Sequence, residues 1–95
     1  MGVLATLHYL VPYSDVESEE RRIHAALKTG GYSAEGLELT GLARQGVSRT
    51  TIEWVSAVDI EIVEAVWAVS PDGGVEIRFS FHNAEDAERA RLALD

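Results

Sequence analysis

The sequence predicts an α+β domain in the order β-α-β-β-β-β-α, with an antiparallel-rich five-stranded sheet and two helices packed on one of its faces. Three observations carry this. Apolar and polar residues alternate with period two over several stretches, above all from Val75 to Phe81. Two other stretches carry helix start and stop signals around an apolar stripe of helical spacing. The chain has 95 residues, 46% hydrophobic and 25% charged, which suits one packed core and is too short for two.

The first strand spans Gly2 to Val11 and is apolar on both faces. Val3, Ala5, Leu7, Tyr9 and Val11 share one side, and Leu4, Thr6, His8 and Leu10 the other. That pattern predicts a strand covered on both sides or central in its sheet. Pro12 then removes a ladder donor. The first helix is predicted to start with Ser14 as cap and Glu17 completing a capping box. Its first turns are acidic and its later ones basic, as the helix dipole favours. Val16, Ile23, Ala26 and Leu27 form its stripe, and Gly30-Gly31 ends it.

From Leu37 the period changes to two, which predicts a second strand to about Arg44, a turn at Gln45-Gly46, and a third strand from Val47 to Ser56. A fourth strand begins near Val58. Ile62 and Val63 are adjacent apolar residues, after which Ala65, Trp67 and Val69 continue on the odd positions. A β-bulge after Ile62 keeps both apolar sets pointing inward. Pro71-Asp72-Gly73-Gly74 reads as a hairpin turn. The last strand places Val75, Ile77, Phe79 and Phe81 on its core face, and Asn83 caps the final helix, with Ala87, Ala90 and Leu94 inward. The opening strand, helix and strand are similar to half of a ferredoxin-like sandwich, so the domain is expected to be partly ferredoxin-like. This is a likeness of topology, and topology does not carry function.

Composition excludes several classes. There is no cysteine, so disulfides, zinc ribbons and iron–sulfur clusters are not expected. No apolar run approaches the length of a membrane span, and Met1 to Val11 makes a poor signal peptide because it has no Lys or Arg before its apolar run and contains His8 and Tyr9. A cytoplasmic location is expected. The net charge of −8 disfavours both phosphate backbones and anionic membranes. No nucleotide-binding, hydrolase-elbow or metal-ligand motif occurs, and His8, His24 and His82 have no ligand spacing, so no metal or cofactor is expected.

Between Arg49 and Arg78 there is no Lys or Arg, while Glu53, Asp59, Glu61, Glu64, Asp72 and Glu76 all occur. With the bulge after Ile62, Asp59, Glu61 and Glu64 are expected to share the outward face of one strand, with Glu53 and Glu76 beside them. Carboxylates gathered on an open face repel one another unless counterions or a partner relieve them. The sequence therefore points to a non-enzymatic acidic interaction module that binds and inhibits or otherwise modulates a basic protein, including one that itself handles nucleic acid. A merely solvated face that discourages edge-to-edge aggregation is the competing explanation. The alternative function is a small cofactor-independent enzyme or ligand-binding protein, with a pocket formed by His8, Tyr9, Tyr13, Trp54 and Trp67. A homodimer through an edge bearing Thr50, Thr51 and Trp54 is a further expectation.

Overall fold

The computed structural model describes residues 4–95. Gly2 and Val3 of the expected first strand lie outside the described residues. The element order is β1 (Ala5–Val11), α1 (Tyr13–Thr29), α2 (Leu39–Ser56), β2 (Ile62–Val69), β3 (Val75–Phe81) and α3 (Ala84–Leu94). The class is α+β, with three helices and a three-stranded antiparallel sheet in the order β1-β3-β2.

The middle of the chain departs from the expected order. The two strands expected from Leu37 to Ser56 are one helix, α2, and Gln45-Gly46 lies inside it instead of forming a turn. Ala43, Ser48, Thr51 and Val55 are its buried residues, and Val47 and Ile52 are half-buried beside them. Those positions recur at helical spacing, but two are hydroxyl-bearing, so the stripe does not register as apolar. Thr51 satisfies its hydroxyl by donating to the Val47 carbonyl one turn back (2.7 Å). Thr50, Thr51 and Trp54 therefore sit on a helix, not on a sheet edge.

Five strands become three, and two helices become three. The ferredoxin-like half is absent too. The strand–helix–strand unit needs a parallel neighbour, whereas β1 pairs antiparallel with β3, directly opposite from Ala5↔Phe81 to Val11↔Val75. β1 is an edge strand with Leu10 exposed, and Leu4 just before it is exposed too, so it is not doubly covered. The strand expected from Val58 begins at Ile62. Val58 and Ile60 precede it in the connection, yet both pack against the core.

The bulge, the hairpin turn and the cap of the last helix are as expected, and the cap of the first helix is not. β2 and β3 pair with an irregularity between Ile62 and Glu64, which is the bulge at Val63. The turn closes with Gly73 donating to the Ser70 carbonyl (2.9 Å), and Gly73 takes φ +93°, a backbone state that suits glycine. Asn83 caps α3, its Oδ1 accepting from the Asp86 N–H (2.8 Å). Ser14 does not cap α1. The N-cap is Pro12, which has no side-chain donor or acceptor, and the Tyr13 N–H donates instead to Asp72 Oδ2 across the fold (3.3 Å). Glu17 pairs with Arg21 rather than closing a capping box.

The core lies between one face of the sheet and the helices. Val75, Ile77, Phe79 and Phe81 are fully buried on β3, with Val11 from β1, Val55 from α2 and Ala90 from α3. Phe79 and Phe81 stack with ring centroids 6.1 Å apart. α1 packs mainly on α2, and Val16 is its one fully buried residue, while Ala26 of the expected stripe is exposed. This α1–α2 hairpin extends the molecule to 53 × 27 × 22 Å, with a radius of gyration of 15.5 Å. A compact chain of this length would have about 12 Å.

Candidate functional site: the uncovered face of the sheet

All three helices lie on the same side as the buried β3 residues, so the other face of the sheet is open. Side chains alternate across a strand, and the pairing registers fix which residues share that face. They form three rows. Thr6, Ser80 and Glu64 are opposite one another; then His8, Arg78 and Val66; then Leu10, Glu76 and Ala68. Seven of the nine are exposed, and Glu76 and Ser80, on the central strand, are half-buried. The bulge at Val63 puts Glu64 on this face. Without it the phase of β2 would reverse and carry Glu64 to the core side.

The face is apolar at its margins and charged within. Leu10 is 64% exposed and Val66 40%. His8 Nδ1 lies 2.9 Å from Glu76 Oε1. In a hydrogen bond between the two, Nδ1 donates and the carboxylate oxygen accepts. Arg78 occupies the centre of the grid and has no carboxylate within ion-pair distance among the described residues. Where β2 begins, Glu61 Oε2 lies 3.3 Å from His82 Nε2.

The five expected partner-binding carboxylates are distributed as follows. Glu64 and Glu76 are on the open face, in rows roughly 13 Å apart along the strands. Glu61 precedes β2 at the Glu64 end, and Asp59 lies in the α2–β2 connection, so these two do not belong to the strand itself. Glu53 is on α2, in the other layer. Among the described residues, no Arg or Lys reaches any of the five within ion-pair distance. The ion-paired arginines, Arg21, Arg22, Arg89 and Arg91, each serve a carboxylate three or four residues away in their own helix or at its end. Hydrogen bonds from Arg22 and Arg91 hold Glu19 and Glu88 below the usual carboxylate range.

Asp72, the remaining acid of that stretch, has a structural task. It accepts from the Ser70 hydroxyl (2.5 Å), the Gly74 N–H (2.9 Å) and the Tyr13 N–H. These bonds, Ser70's first, lower its pKa. They join the β2–β3 turn to the start of α1.

The five expected pocket residues do not converge on one cavity. His8 borders a shallow depression of about 230 Å³ on the open face, with Glu76 and Arg78; Trp67 also borders it, although the strand register turns its side chain to the helical face. Tyr9 and Trp54 border another, about 190 Å³, between β1 and the helical hairpin. Tyr13 stands beside Gly73 at the turn. Both depressions are smaller than the ~300–1,000 Å³ of typical ligand sites, whereas Trp54 also borders an open depression of about 500 Å³ with Val58 and Leu94, which none of the other four reaches. Among the described residues, no three His, Asp or Glu side chains come together as a metal site would require.

The apolar component of this face is not evident from the sequence pattern of β1 and β2 alone. Leu10 is expected from the sequence on a strand covered on both sides, and Val66 and Ala68 carry no sequence expectation; the signal that points to them is the alternation of β3. One polar face on the central strand implies an open side to the whole sheet. The fold and site together define an α+β domain with a helical layer on one face of an antiparallel sheet and an amphipathic open face on the other. No family model, curated protein or solved structure matches the chain.

Proposed function

We propose that the chain is a non-enzymatic interaction module that docks a basic protein on the open face of its sheet and modulates that protein by covering it. One observation carries the reading. An uncovered sheet face combines exposed Leu10 and Val66 with Glu64 and Glu76, and among the described residues no Lys or Arg lies within ion-pair distance of these acids or of the nearby Asp59 and Glu61. Apolar area supplies affinity once water is excluded, while unneutralised charge steers a partner of opposite sign and sets its orientation. Arg78 at the centre calls for one acceptor in an otherwise basic partner surface. The net charge of −8 adds long-range attraction. No helix among the described residues is long and apolar enough to cross a membrane. With a cysteine-free sequence this fits a cytoplasmic module.

The test is affinity capture from the native cell with three baits: the wild type, the Asp59→Lys/Glu61→Lys/Glu64→Lys variant, and a Glu17→Lys/Glu88→Lys control that reverses two helical acids. The expected result is a basic protein held by the wild type and the control, lost from the triple variant, and released as salt shortens the Debye length below about 8 Å. Equal retention by the triple variant, with unchanged circular dichroism, refutes the assignment.

A further inference from the structure

We propose that two copies of the chain associate through the free edge of β2, antiparallel about a twofold axis at Val66, to form one six-stranded sheet. This goes beyond the docking function and rests on different observations. β2 is an edge strand, so one side of it presents unpaired backbone N–H and C=O groups. Edges are ordinarily protected by charge, proline or a bulge. Here the bulge at Val63 and the charge of Glu64 guard only the first part of the strand. The remainder, Ala65 to Val69, has neither charge nor proline, and it exposes apolar side chains on both sides of the sheet: Val66 on the open face, Trp67 (37%) and Val69 (55%) on the helical face. The other edge is better defended. β1 ends at Pro12, carries the His8–Glu76 pair mid-strand, and half-buries its helix-side residues.

The strand is complementary to itself in this register. Twofold antiparallel pairing sets each residue opposite one that points to the same face. With the axis at Val66, Trp67 lies opposite Ala65 of the second copy, the largest side chain against one of the smallest. Glu64 lies opposite Ala68 of the second copy. The two Glu64 carboxylates are then roughly 13 Å apart along the strand, beyond the physiological Debye length of about 8 Å. An axis at Glu64 would set the two carboxylates face to face, and one at Ala65 would set the bulky Trp67 against the bulge, whereas the axis at Val66 brings only the last strand residue, Val69, opposite Val63.

Two chains of net charge −8 repel, so the association must be apolar and must strengthen with salt. Docking of a basic protein weakens with salt, and the two proposals therefore fail separately. The experiment measures mass by light scattering and sedimentation from about 5 to about 500 μM, a range that brackets a micromolar Kd, at low and high salt. It also uses single-cysteine variants, which are clean because the chain has no cysteine. The expected result is a dimer favoured by salt, dissociated by Val66→Lys and independently by Ala68→Lys with unchanged far-UV circular dichroism. Val66→Cys should oxidise readily to a covalent dimer, because position 66 meets its own copy. Val69→Cys should not, because its copies lie roughly 20 Å apart, far beyond the reach of a disulfide. A monomer throughout the range, a dimer that survives both lysine variants, or cross-linking through position 69 as fast as through position 66 overturns the proposal.

Discussion

Replacing Gly74 by alanine tests the joint on which the layers depend. The β2–β3 turn folds back onto the junction of β1 and α1, and Gly74 is where the two backbones meet. A Cβ at this position would lie 2.1 Å from the Val11 carbonyl oxygen and 2.9 Å from both Pro12 C and Tyr13 N. Ordinary C···O contacts begin near about 3.3 Å, so the chains must separate by roughly 1 Å. None of these neighbours is a side chain that can swing aside. Separation also strains the Gly74 and Tyr13 bonds to Asp72. Overpacking a rigid site costs about 1–3 kcal/mol, and obstruction by backbone alone places this case at or above the top of that range. About 3 kcal/mol is a large part of the roughly 5–14 kcal/mol a domain of this size commands, and lowers Tm by roughly 12–24 °C. Gly31→Ala is the control. It sits at φ +79° with open space around its Cβ, so it carries only the left-handed backbone cost of about 1–2 kcal/mol. The assay is thermal and urea unfolding followed by circular dichroism. If Gly74→Ala costs no more than Gly31→Ala, the turn does not rest on the β1–α1 junction and this description of the fold is wrong.

Three further outcomes follow from single residues. Ser48 is buried with no hydrogen-bond partner for its hydroxyl among the described residues, so Ser48→Ala should stabilise by about 1 kcal/mol and raise Tm by a few degrees in the same melts. Asn83→Ala removes the cap of α3 and should cost about 1 kcal/mol in urea unfolding. Asp72 has a folded pKa below its unfolded value of 3.8, so its contribution is complete above that value and is lost as pH falls through the folded pKa. Asp72→Asn should therefore melt lower than the wild type at neutral pH and show a smaller fall in Tm between about pH 5 and pH 2. Parallel Tm–pH curves for the two proteins would contradict the role given to Asp72.

What could be read from the sequence depended on how each element signals burial. β3 was unambiguous because Val75, Ile77, Phe79 and Phe81 are large, apolar and strictly alternating. The bulge at Val63 was legible because two adjacent apolar residues broke the phase of β2. The cap at Asn83 is local chemistry and needs no tertiary context. α2 was misread because its β-branched and glycine residues are poor helix formers, and because Ser48 and Thr51 occupy buried positions that a hydropathy pattern assigns to solvent. Packing against α1 and the sheet overrides that propensity. The start of α1 was hidden for a different reason: its cap, Asp72, is 59 residues away from Tyr13. Turning two supposed strands into a helix also moved Glu53 to the helical layer, which is why the carboxylates of the middle segment do not form one continuous face. Glu64 and Glu76 reach the open face because their strands were correctly phased.

The proposed function rests on the uncovered face. The most direct measurement is a methyl and amide NMR titration of the labelled chain with the basic protein recovered by the wild-type bait. The account predicts perturbations concentrated on Thr6, His8, Leu10, Glu64, Val66, Ala68 and Arg78, fading as salt is raised. Perturbations confined to the outer surfaces of α1 and α3, with these residues unmoved, would contradict it.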